Sequence, residues 1–342
     1  MRGSRRFFPL HSSRPAVRGG RILLKGINGD WIMKNNSQLI IGISSVALMA
    51  LLSLSARATT TMFQASAQGE ASLIHQYSFD GVSNADRRAD QMGTIDLTEQ
   101  AFGSGTTADL GYGLAGWDGT SQAFSSFRQI PGADSAGGAQ LRAPGVTFGN
   151  TFSYEAIISP GQAGLGGGAF DLGYVLATRV GSERGYFLVQ GDGNLPSPTH
   201  PFSSTLGNGY NVANTNIITG ALTAGDWYYV AGSYTRNGSA NVTWTNYVAN
   251  LTAGETVLNA AGPFTNTGVY PTGAQNVGIG GRWDNGESFP GLFDEVNLYS
   301  GALSEASFQA NLDQLLIPEP TAPALLALAL IPILGRRRCS AS

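Results

Sequence analysis

Residues Gly278 to Leu312 read "GIGGRWDNGESFPGLFDEVNLYSGALSEASFQANL" and carry the clearest local structural signals of the chain. The stretch predicts a strand, a loop, a second strand and a short helix, in that order. Ser304 is placed to cap the helix N-terminus, and Leu303 and Phe308 occupy the N′ and N4 positions of a hydrophobic staple. The pattern therefore predicts a strand-rich domain that ends with a capped helix.

Three further stretches alternate with the period of two that half-buried strands require. They are "LIHQYSF" from Leu73, "FSYEAIIS" from Phe152 and "DWYYVAGSY" from Asp226. The chain has 47 glycines, and the Asn237-Gly238 pair predicts a hairpin turn. Many short strands joined by tight turns over residues 72–316 predict one all-β domain, an antiparallel two-sheet sandwich.

The order of these motifs resembles that of the LamG-like, concanavalin A-like lectin/glucanase family. The matching features, between Leu73 and Leu312, are an opening strand that ends at Asp80, "GWDGTSQAF" with the Asp118-Gly119 turn, the Trp227-led strand, and Gly291 with Asp294, Glu295 and Val296. The resemblance implies a jelly-roll sandwich. Residues 247–250 read "YVAN" where relatives place an Asn-Gly or Asp-Gly turn, so this loop is expected to differ in shape.

Carboxylates bear on whether such a domain cleaves sugars. Hydrolysis needs two carboxyl groups about 5 to 9 Å apart across the bond, which in a strand means acids two or four residues apart. Glu155 stands alone in its strand. Asp294 and Glu295 are neighbours, so they are expected to point to opposite faces, with one of them tying down the adjacent turn. No catalytic residue is therefore predicted, and the chain is predicted not to be an enzyme.

Aromatic side chains are the expected ligand contacts, because a flat apolar ring packs against the C–H face of a sugar. The predicted ligand-binding residues are Trp283, Arg282, Asp284, Trp244 and Tyr247. A core position is the alternative for Trp244 and Trp283, while Trp117 and Trp227 are predicted core residues. The favoured function is non-catalytic binding of carbohydrate or another surface molecule. A secreted hydrolase or lyase with an unrecognised site, and a spacer without a ligand, stay open as alternatives.

Two aspartates in predicted turns at strand ends, Asp80 and Asp118, are the candidate calcium ligands, with Asp192 and Asp284 behind them. Hard cations prefer carboxylate and backbone carbonyl oxygens, and the resemblance implies a calcium ion on the rim of the sandwich. Aspartate before glycine also builds a turn without any metal. Both readings stay open from the sequence.

The N-terminal part of the chain predicts export. Residues 39–54 are apolar, follow Lys34 and lead to small residues at Ala56 and Ala58. Cleavage is expected after Ala58, with Ala67 as the alternative. The predicted segments are a leader at 1–32, explained if Met33 is the true start, a helical signal peptide at 33–58 and a linker at 59–71.

The C-terminal part ends with "IPEPTAPALLALALIPILGRRR", residues 317–338, before a tail at 339–342. Its apolar helix is short for a membrane span, which needs ~20 residues. The segment resembles the PEP-CTERM sorting signal of Gram-negative bacteria. The residues that match its recognition elements are Pro318, Glu319, Pro320, Arg336, Arg337 and Arg338. The resemblance implies processing by an exosortase-type membrane protease and association with exopolysaccharide or biofilm material.

These two end segments predict the route of the protein. Its expected partners are signal peptidase and the exosortase-type protease during export, with transient membrane association through the short C-terminal apolar helix. The product is expected in the cell envelope, at the cell surface or in the extracellular matrix. Polysaccharide or a cell-surface glycan is the expected partner there.

Charge and cysteine content limit the classes of partner and the sources of stability that the domain can have. Residues 59–335 contain eight basic residues, all arginine, and 22 acidic residues, so their formal net charge is −14. Nucleic-acid binding needs clustered cations that this composition does not provide, so no nucleic-acid partner is predicted. The single cysteine, Cys339, lies behind the sorting segment. A domain without disulfides must be stabilised by its own core, for which some 250 residues suffice.

Overall fold

The structure is a computed structural model of the 342-residue chain. It describes residues 60–128, 137–161, 173–178, 186–190, 202–206, 216–219, 222–238, 241–267, 273–283 and 287–317. The predicted leader, signal peptide with Ala58, and sorting residues 318–338 lie outside the described residues, as do Asp192 and Asp284. Among the described helices, none is both long and apolar enough to cross a bilayer.

Sixteen strands dominate the described part of the chain. They are β1 (Leu73–Tyr77), β2 (Thr98–Gly103), β3 (Gly111–Ala115), β4 (Gln122–Ser125), β5 (Phe127–Arg128), β6 (Gly137–Phe148), β7 (Thr151–Pro160), β8 (Gly173–Ala177), β9 (Tyr186–Gln190), β10 (Phe202–Leu206), β11 (Asn216–Thr219), β12 (Tyr228–Asn237), β13 (Asn241–Asn250), β14 (Asn259–Thr267), β15 (Gly273–Ile279) and β16 (Gly291–Tyr299). The helices are α1 (Thr60–Gly69), α2 (Asn84–Arg87) and α3 (Glu305–Leu316), with a 3₁₀ turn at Thr107–Asp109.

The strands form two antiparallel sheets. Sheet 1 has the order β14-β13-β12-β7-β16-β4-β3, with β1 also paired to β16. Sheet 2 has the order β11-β10-β9-β8-β15-β6-β2, with β5 also paired to β6. The predicted antiparallel two-sheet sandwich is confirmed, and so is the hairpin at Asn237-Gly238, which joins β12 to β13.

The two sheets enclose the larger core. In β7, Phe152, Tyr154, Ala156 and Ile158 face this core, as the alternation of the sequence predicts. Residues Ala139, Leu141 and Ala143 of β6 do the same from sheet 2. The side chains between these positions therefore lie on the outer faces of the two sheets, because successive strand residues point to opposite sides.

Helix α3 packs on the outer face of sheet 1. The Ser304 hydroxyl oxygen accepts a hydrogen bond from the Ser307 N–H at 3.1 Å, so the predicted N-cap is confirmed. Leu303 and Phe308, the predicted staple pair, are both buried in a second core cluster with Tyr229 and other residues of the outer face.

Helix α1 occupies most of the segment that the sequence predicted as a linker at 59–71, and that prediction is wrong. Phe63 and Ala67, four residues apart and therefore on one helix face, are fully buried in the second cluster. The Ser66 hydroxyl donates a hydrogen bond of 2.7 Å to the Asn311 side-chain oxygen of α3. The compact unit therefore begins at α1, before the predicted boundary at residue 72.

We expect Phe63→Ala to lower the free energy of unfolding by about 3 to 5 kcal/mol, because it leaves a cavity beneath α1. Phe63 also makes an edge-on contact with Tyr229 at 6.1 Å between ring centroids. The control is Met62→Ala on the exposed side of the same helix, expected within about 0.5 kcal/mol of the parent. Urea unfolding measures both, and equal midpoints for the two variants would contradict the docking of α1.

Candidate functional site

The carboxylate of Glu155, on the outer face of β7, is completely buried and fully hydrogen-bonded. It accepts bonds from the hydroxyls of Tyr229 (2.5 Å) and Tyr299 and from the amide groups of Asn297 (3.0 Å) and Asn311 (3.1 Å). Burial raises the pKa of Glu155, and these donors oppose the shift. This arrangement joins strands of sheet 1 to α3, so Glu155 is a structural carboxylate.

Asp294 and Glu295 do not point to opposite faces, and this prediction is wrong. Phe293 pairs with Ile158 and Glu295 with Ile157, so Asp294 is the extra residue of a β-bulge. Both Phe293 and Val296 face the core between the sheets, which leaves the two acids together on the outer face. The bulge therefore places two adjacent, fully buried carboxyl groups side by side.

Asp294 ties down the turn between β3 and β4, as predicted. One of its oxygens accepts hydrogen bonds from the Trp117 N–H at 2.7 Å and the Ser121 hydroxyl at 2.9 Å. A Cβ on Gly116 would lie 2.7 Å from both carboxylate oxygens, so the close approach requires glycine there. Burial raises the pKa of Asp294 to about 8, and burial together with Asp294 raises the pKa of Glu295 well above its ordinary range.

The predicted calcium ligands, Asp80 and Asp118, lie next to this acid pair. Their carboxylate oxygens accept hydrogen bonds from N–H groups of the protein. Asp118 accepts hydrogen bonds from the Thr60 N–H at 3.0 Å and the Ser121 N–H at 2.7 Å. Asp80 accepts from the Gln122 N–H at 2.7 Å and from the Gln64 amide of α1 at 3.0 Å. Over the described ranges, no three His, Cys, Asp or Glu side chains are arranged to hold one metal ion. Calcium binding stays a prediction.

His75 also has a structural environment. Its ring nitrogen Nδ1 lies 2.8 Å from the Asp90 carboxylate, and the His75 side chain is buried. Burial raises the pKa of Asp90, but the hydrogen bonds from His75 and from the N–H groups of Gln76, Met92 and Ile95 outweigh it and hold that pKa well below its ordinary value. His75 therefore positions the loop after β1.

The outer face of sheet 2 has a different character. The alternation of β6 places Gln140 and Arg142 on this face, and the strand register brings Thr98 opposite Arg142 and Gln100 opposite Gln140. Gly278 of β15 lies on the other side of Arg142. The result is a row of polar side chains across β2 and β6, bordered by a glycine of β15.

The loop after β15 folds back over this row. The Gln140 side-chain amide donates to the carbonyl oxygen of Arg282 and its oxygen accepts from the Ser288 hydroxyl at 3.2 Å. A side chain on Gly281 would collide with that same Gln140 side chain. The Arg282 guanidinium pairs with the Glu287 carboxylate at 3.1 Å. These contacts fix both ends of the loop on the sheet.

Trp283 lies in this loop, partly exposed. The guanidinium carbon of Arg142 is 4.9 Å from the centroid of its ring, within cation–π distance. We call the surface made by Thr98, Gln100, Arg142, Arg282 and Trp283 the Trp283 face; Gln140 is fully buried beneath the loop. It combines an aromatic ring, held by a cation, with neighbouring hydrogen-bonding side chains, which is the composition of a saccharide site.

The structure brings together only part of the predicted ligand set. Trp283 and Arg282 lie on the Trp283 face, and Asp284 is outside the described residues. Trp244 is 2% exposed in the core between the sheets and is stacked with Tyr234, while Tyr247 is 6% exposed beneath α3 against Phe308. The prediction that Trp244 and Tyr247 bind ligand is wrong, because neither side chain can reach a ligand.

Two other predicted tryptophans and two residues of β6 that were not predicted also lie near these surfaces. Trp117 and Trp227, predicted as core residues, are partly buried and pack against the edge of the second cluster. Arg142 and Gln140 were missed. Their signal is the alternation of "GAQLRA" in β6, where polar residues occupy every second position.

Comparison with known families identifies the class of the domain. The laminin G-like model of the concanavalin A-like lectin/glucanases superfamily matches residues 133–308. The chain belongs to this superfamily. The comparison with curated protein sequences gave no match.

Several solved structures are similar. Domain 4 of AbnA, an extracellular arabinanase from Geobacillus stearothermophilus solved with arabinotriose, is 17% identical over 71% of this chain and 98% of that chain, with a TM-score of 0.43. A botulinum neurotoxin type C structure, whose cell entry depends on two ganglioside molecules, is 10% identical over 71% of this chain and 51% of that chain, at 0.41. A Trypanosoma rangeli sialidase is 13% identical over 81% of this chain and 39% of that chain, at 0.45.

The buried acid pair makes stability depend on pH. A carboxyl group whose pKa is raised in the folded protein loses its proton earlier in the unfolded chain. The free energy of unfolding should therefore fall as pH rises from about 4, the ordinary carboxyl pKa, to about 8, the pKa of Asp294. The slope is up to about 1.4 kcal/mol per pH unit for each retained proton.

Asp294→Asn should flatten this dependence, and the measurement is urea unfolding at pH 5, 7 and 9. This range lies above the pKa of Asp90, whose effect on stability appears only in acid. Asp313→Asn, an exposed acid on α3, is the matched control and should keep the parent slope. An unchanged slope in Asp294→Asn would contradict the account of the pair.

Proposed function

We propose that this protein is an exported, non-catalytic polysaccharide-binding protein whose ligand contacts the Trp283 face. The observation that carries the proposal is the partly exposed Trp283 ring, which lies within cation–π distance of Arg142 in the polar row of sheet 2. A pyranose presents a C–H face that packs on an aromatic ring and hydroxyls that bond to neighbouring amides and guanidinium groups. The side chains of Thr98 and Gln100 suit the second role.

The fixed loop supports this proposal energetically. Gln140 holds the loop at Arg282, and the Arg282–Glu287 ion pair holds it from the other end. A ring that is already held in place loses little conformational freedom on binding, so more of the contact energy appears as affinity.

The positions of the carboxylates support a binder over a hydrolase. Glu155 has its oxygens occupied, and Asp294 and Glu295 are fully buried on the opposite sheet, near α1. Among the described residues of the Trp283 face and its loop, the carboxylate is that of Glu287, which pairs with Arg282. Glycoside hydrolysis requires two carboxyl groups across the scissile bond.

The route of export completes the proposal. Cleavage after Ala58 by signal peptidase would release a chain that keeps α1 intact, since α1 begins at Thr60 and the Thr60 N–H bonds to Asp118. Cleavage after Ala67 would remove the buried Phe63, so Ala58 is the better site. The segment 317–338 would then be processed by the exosortase-type protease, leaving the domain in the cell envelope or matrix with polysaccharide as its partner.

We expect the full-length protein to be retarded in gels containing one or more of a panel of polysaccharides, and Trp283→Ala to weaken that retention about tenfold or more. Leu114→Ala, exposed on sheet 1, is the control and should bind like the parent. Urea unfolding confirms that both variants are folded.

Two additional measurements make the test complete. Release of reducing ends from any polysaccharide would overturn the non-catalytic proposal, and equal retention of Trp283→Ala and parent would overturn the site. Repeating the gels with calcium and with EDTA tests the calcium prediction separately, since retention that EDTA abolishes would assign the ion a role.

A further inference from the structure

The two arginines of the Trp283 face already interact within the protein. The Nε and Nη2 nitrogens of Arg142 are buried, and its guanidinium lies over one face of the Trp283 ring. The guanidinium of Arg282 is 3.1 Å from the Glu287 carboxylate. A carboxylate or sulfate binds best to a planar fork of two open N–H groups. Because each fork of a guanidinium uses at least one of these two nitrogens, Arg142 presents no open fork, and the fork of Arg282 is engaged by Glu287.

The formal charges next to the ring cancel. Trp283 follows Arg282 and precedes Asp284, and Glu287 comes three residues later. With Arg142, two cations are balanced by two anions, in a region whose net charge is −14. At physiological salt the Debye length is about 8 Å, so charges close to the ring determine the local attraction. A polyanion therefore gains no net attraction at Trp283 and meets a domain of its own sign.

Most strands of sheet 2 are uncharged. The sequences of β8, β9, β10, β11 and β15 contain no Asp, Glu, Lys or Arg, and their polar residues have only hydroxyl or amide side chains. Thr98 and Gln100 of β2 add a hydroxyl and an amide beside β6. Hydroxyl and amide groups both donate and accept hydrogen bonds, as the hydroxyls of a sugar do. The composition of the sheet thus matches an uncharged, hydroxyl-rich ligand.

One further arginine belongs to this sheet. Arg128 of β5 pairs with Gly138, which lies four residues from Arg142 along β6. Four strand residues span about 13 Å, which exceeds the Debye length. Arg128 is therefore not expected to determine the charge at the Trp283 ring.

We propose that the ligand of the Trp283 face is a neutral polysaccharide, whose sugar units carry hydroxyl groups without carboxylate or sulfate. One sugar ring stacks on the face of the Trp283 indole opposite Arg142, and its hydroxyls contact Thr98 and Gln100. This inference rests on the proposed function and names the chemical class of its ligand.

The Arg282–Glu287 ion pair gives an energetic reason for this class. An acidic sugar that recruited Arg282 would take the cation away from a carboxylate whose side chain is only 9% exposed. Removing one partner of a buried charge pair is costly, because the remaining charge is poorly solvated. A sugar hydroxyl exchanges a hydrogen bond to water for one to an amide or hydroxyl, without separating any ion pair.

The test compares polymers that share a backbone and differ in charge. The full-length protein is run in gels containing hydroxyethyl cellulose or carboxymethyl cellulose, and dextran or dextran sulfate, at low and at high sodium chloride. At least one neutral polymer is expected to retain the parent independently of salt, and Trp283→Ala should weaken that retention about tenfold or more. The charged polymer of the same pair should retain the parent about fivefold more weakly.

Charge variants test the reason for the preference. Glu287→Gln frees Arg282 and should raise retention by the charged polymers about fivefold, in a salt-sensitive manner. Glu305→Gln removes the same charge from an exposed position of α3 and is the matched control, expected to behave like the parent. Arg128→Gln should also behave like the parent on every polymer. Urea unfolding confirms that the variants are folded.

The possible failures are distinguishable. Retention that depends on Trp283 but is stronger with the charged polymer of a pair, or equal for both polymers, would overturn the neutral class while leaving the proposed function in place. A folded Glu287→Gln variant that gains no retention by the charged polymers would contradict the role of the ion pair and with it the inference. Absence of Trp283-dependent retention on every polymer would overturn both proposals.

Discussion

The arrangement of the helix-covered side of the domain depends on the buried carboxylate of Glu155. A carboxyl group removed from water costs several kcal/mol unless hydrogen bonds replace those of the solvent. The replacement comes from Tyr229 of β12, Tyr299 and Asn297 of β16, and Asn311 of α3. Because these donors belong to three elements, satisfying one side chain fixes the positions of all three.

The consequences extend to the choice of ligand surface. Asn311 also accepts from Ser66, so α3, once placed, positions α1. The two helices and the acid pair Asp294–Glu295 then occupy the outer face of sheet 1. The outer face of sheet 2, where Arg142, Gln140 and Trp283 meet, is not covered by these helices. The proposed function uses this second face.

Local sequence patterns predicted the features that depend on neighbouring residues. Alternation identified β7 and β12, and the cap at Ser304 with the staple of Leu303 and Phe308 identified α3. Alternation also separates Trp244 from Tyr247, but it cannot say that one side of β13 is the core and the other lies beneath a helix. From the sequence alone, both side chains were therefore predicted to bind a ligand, which neither of them can reach.

Features that depend on the register between strands distant in sequence could not be predicted from local sequence patterns. The bulge at Asp294 exists only relative to β7, so the shared face of Asp294 and Glu295 could not be seen in "FDEV". Helix α1 has only Phe63 and Ala67 as buried apolar anchors in ten residues, and its stability comes from packing on α3. The role of Arg142 required the loop of Trp283 to be placed above β6, which no local pattern encodes.

The most direct test of the central claim is an NMR titration that follows the tryptophan indole N–H signals. The chain has five tryptophans, and single substitutions assign each signal. During titration with a bound oligosaccharide, the account predicts that the Trp283 signal shifts while the buried Trp244 signal stays in place. A Trp283 signal that does not move while those of Trp117 or Trp227 do would place the ligand on the other sheet and contradict the account.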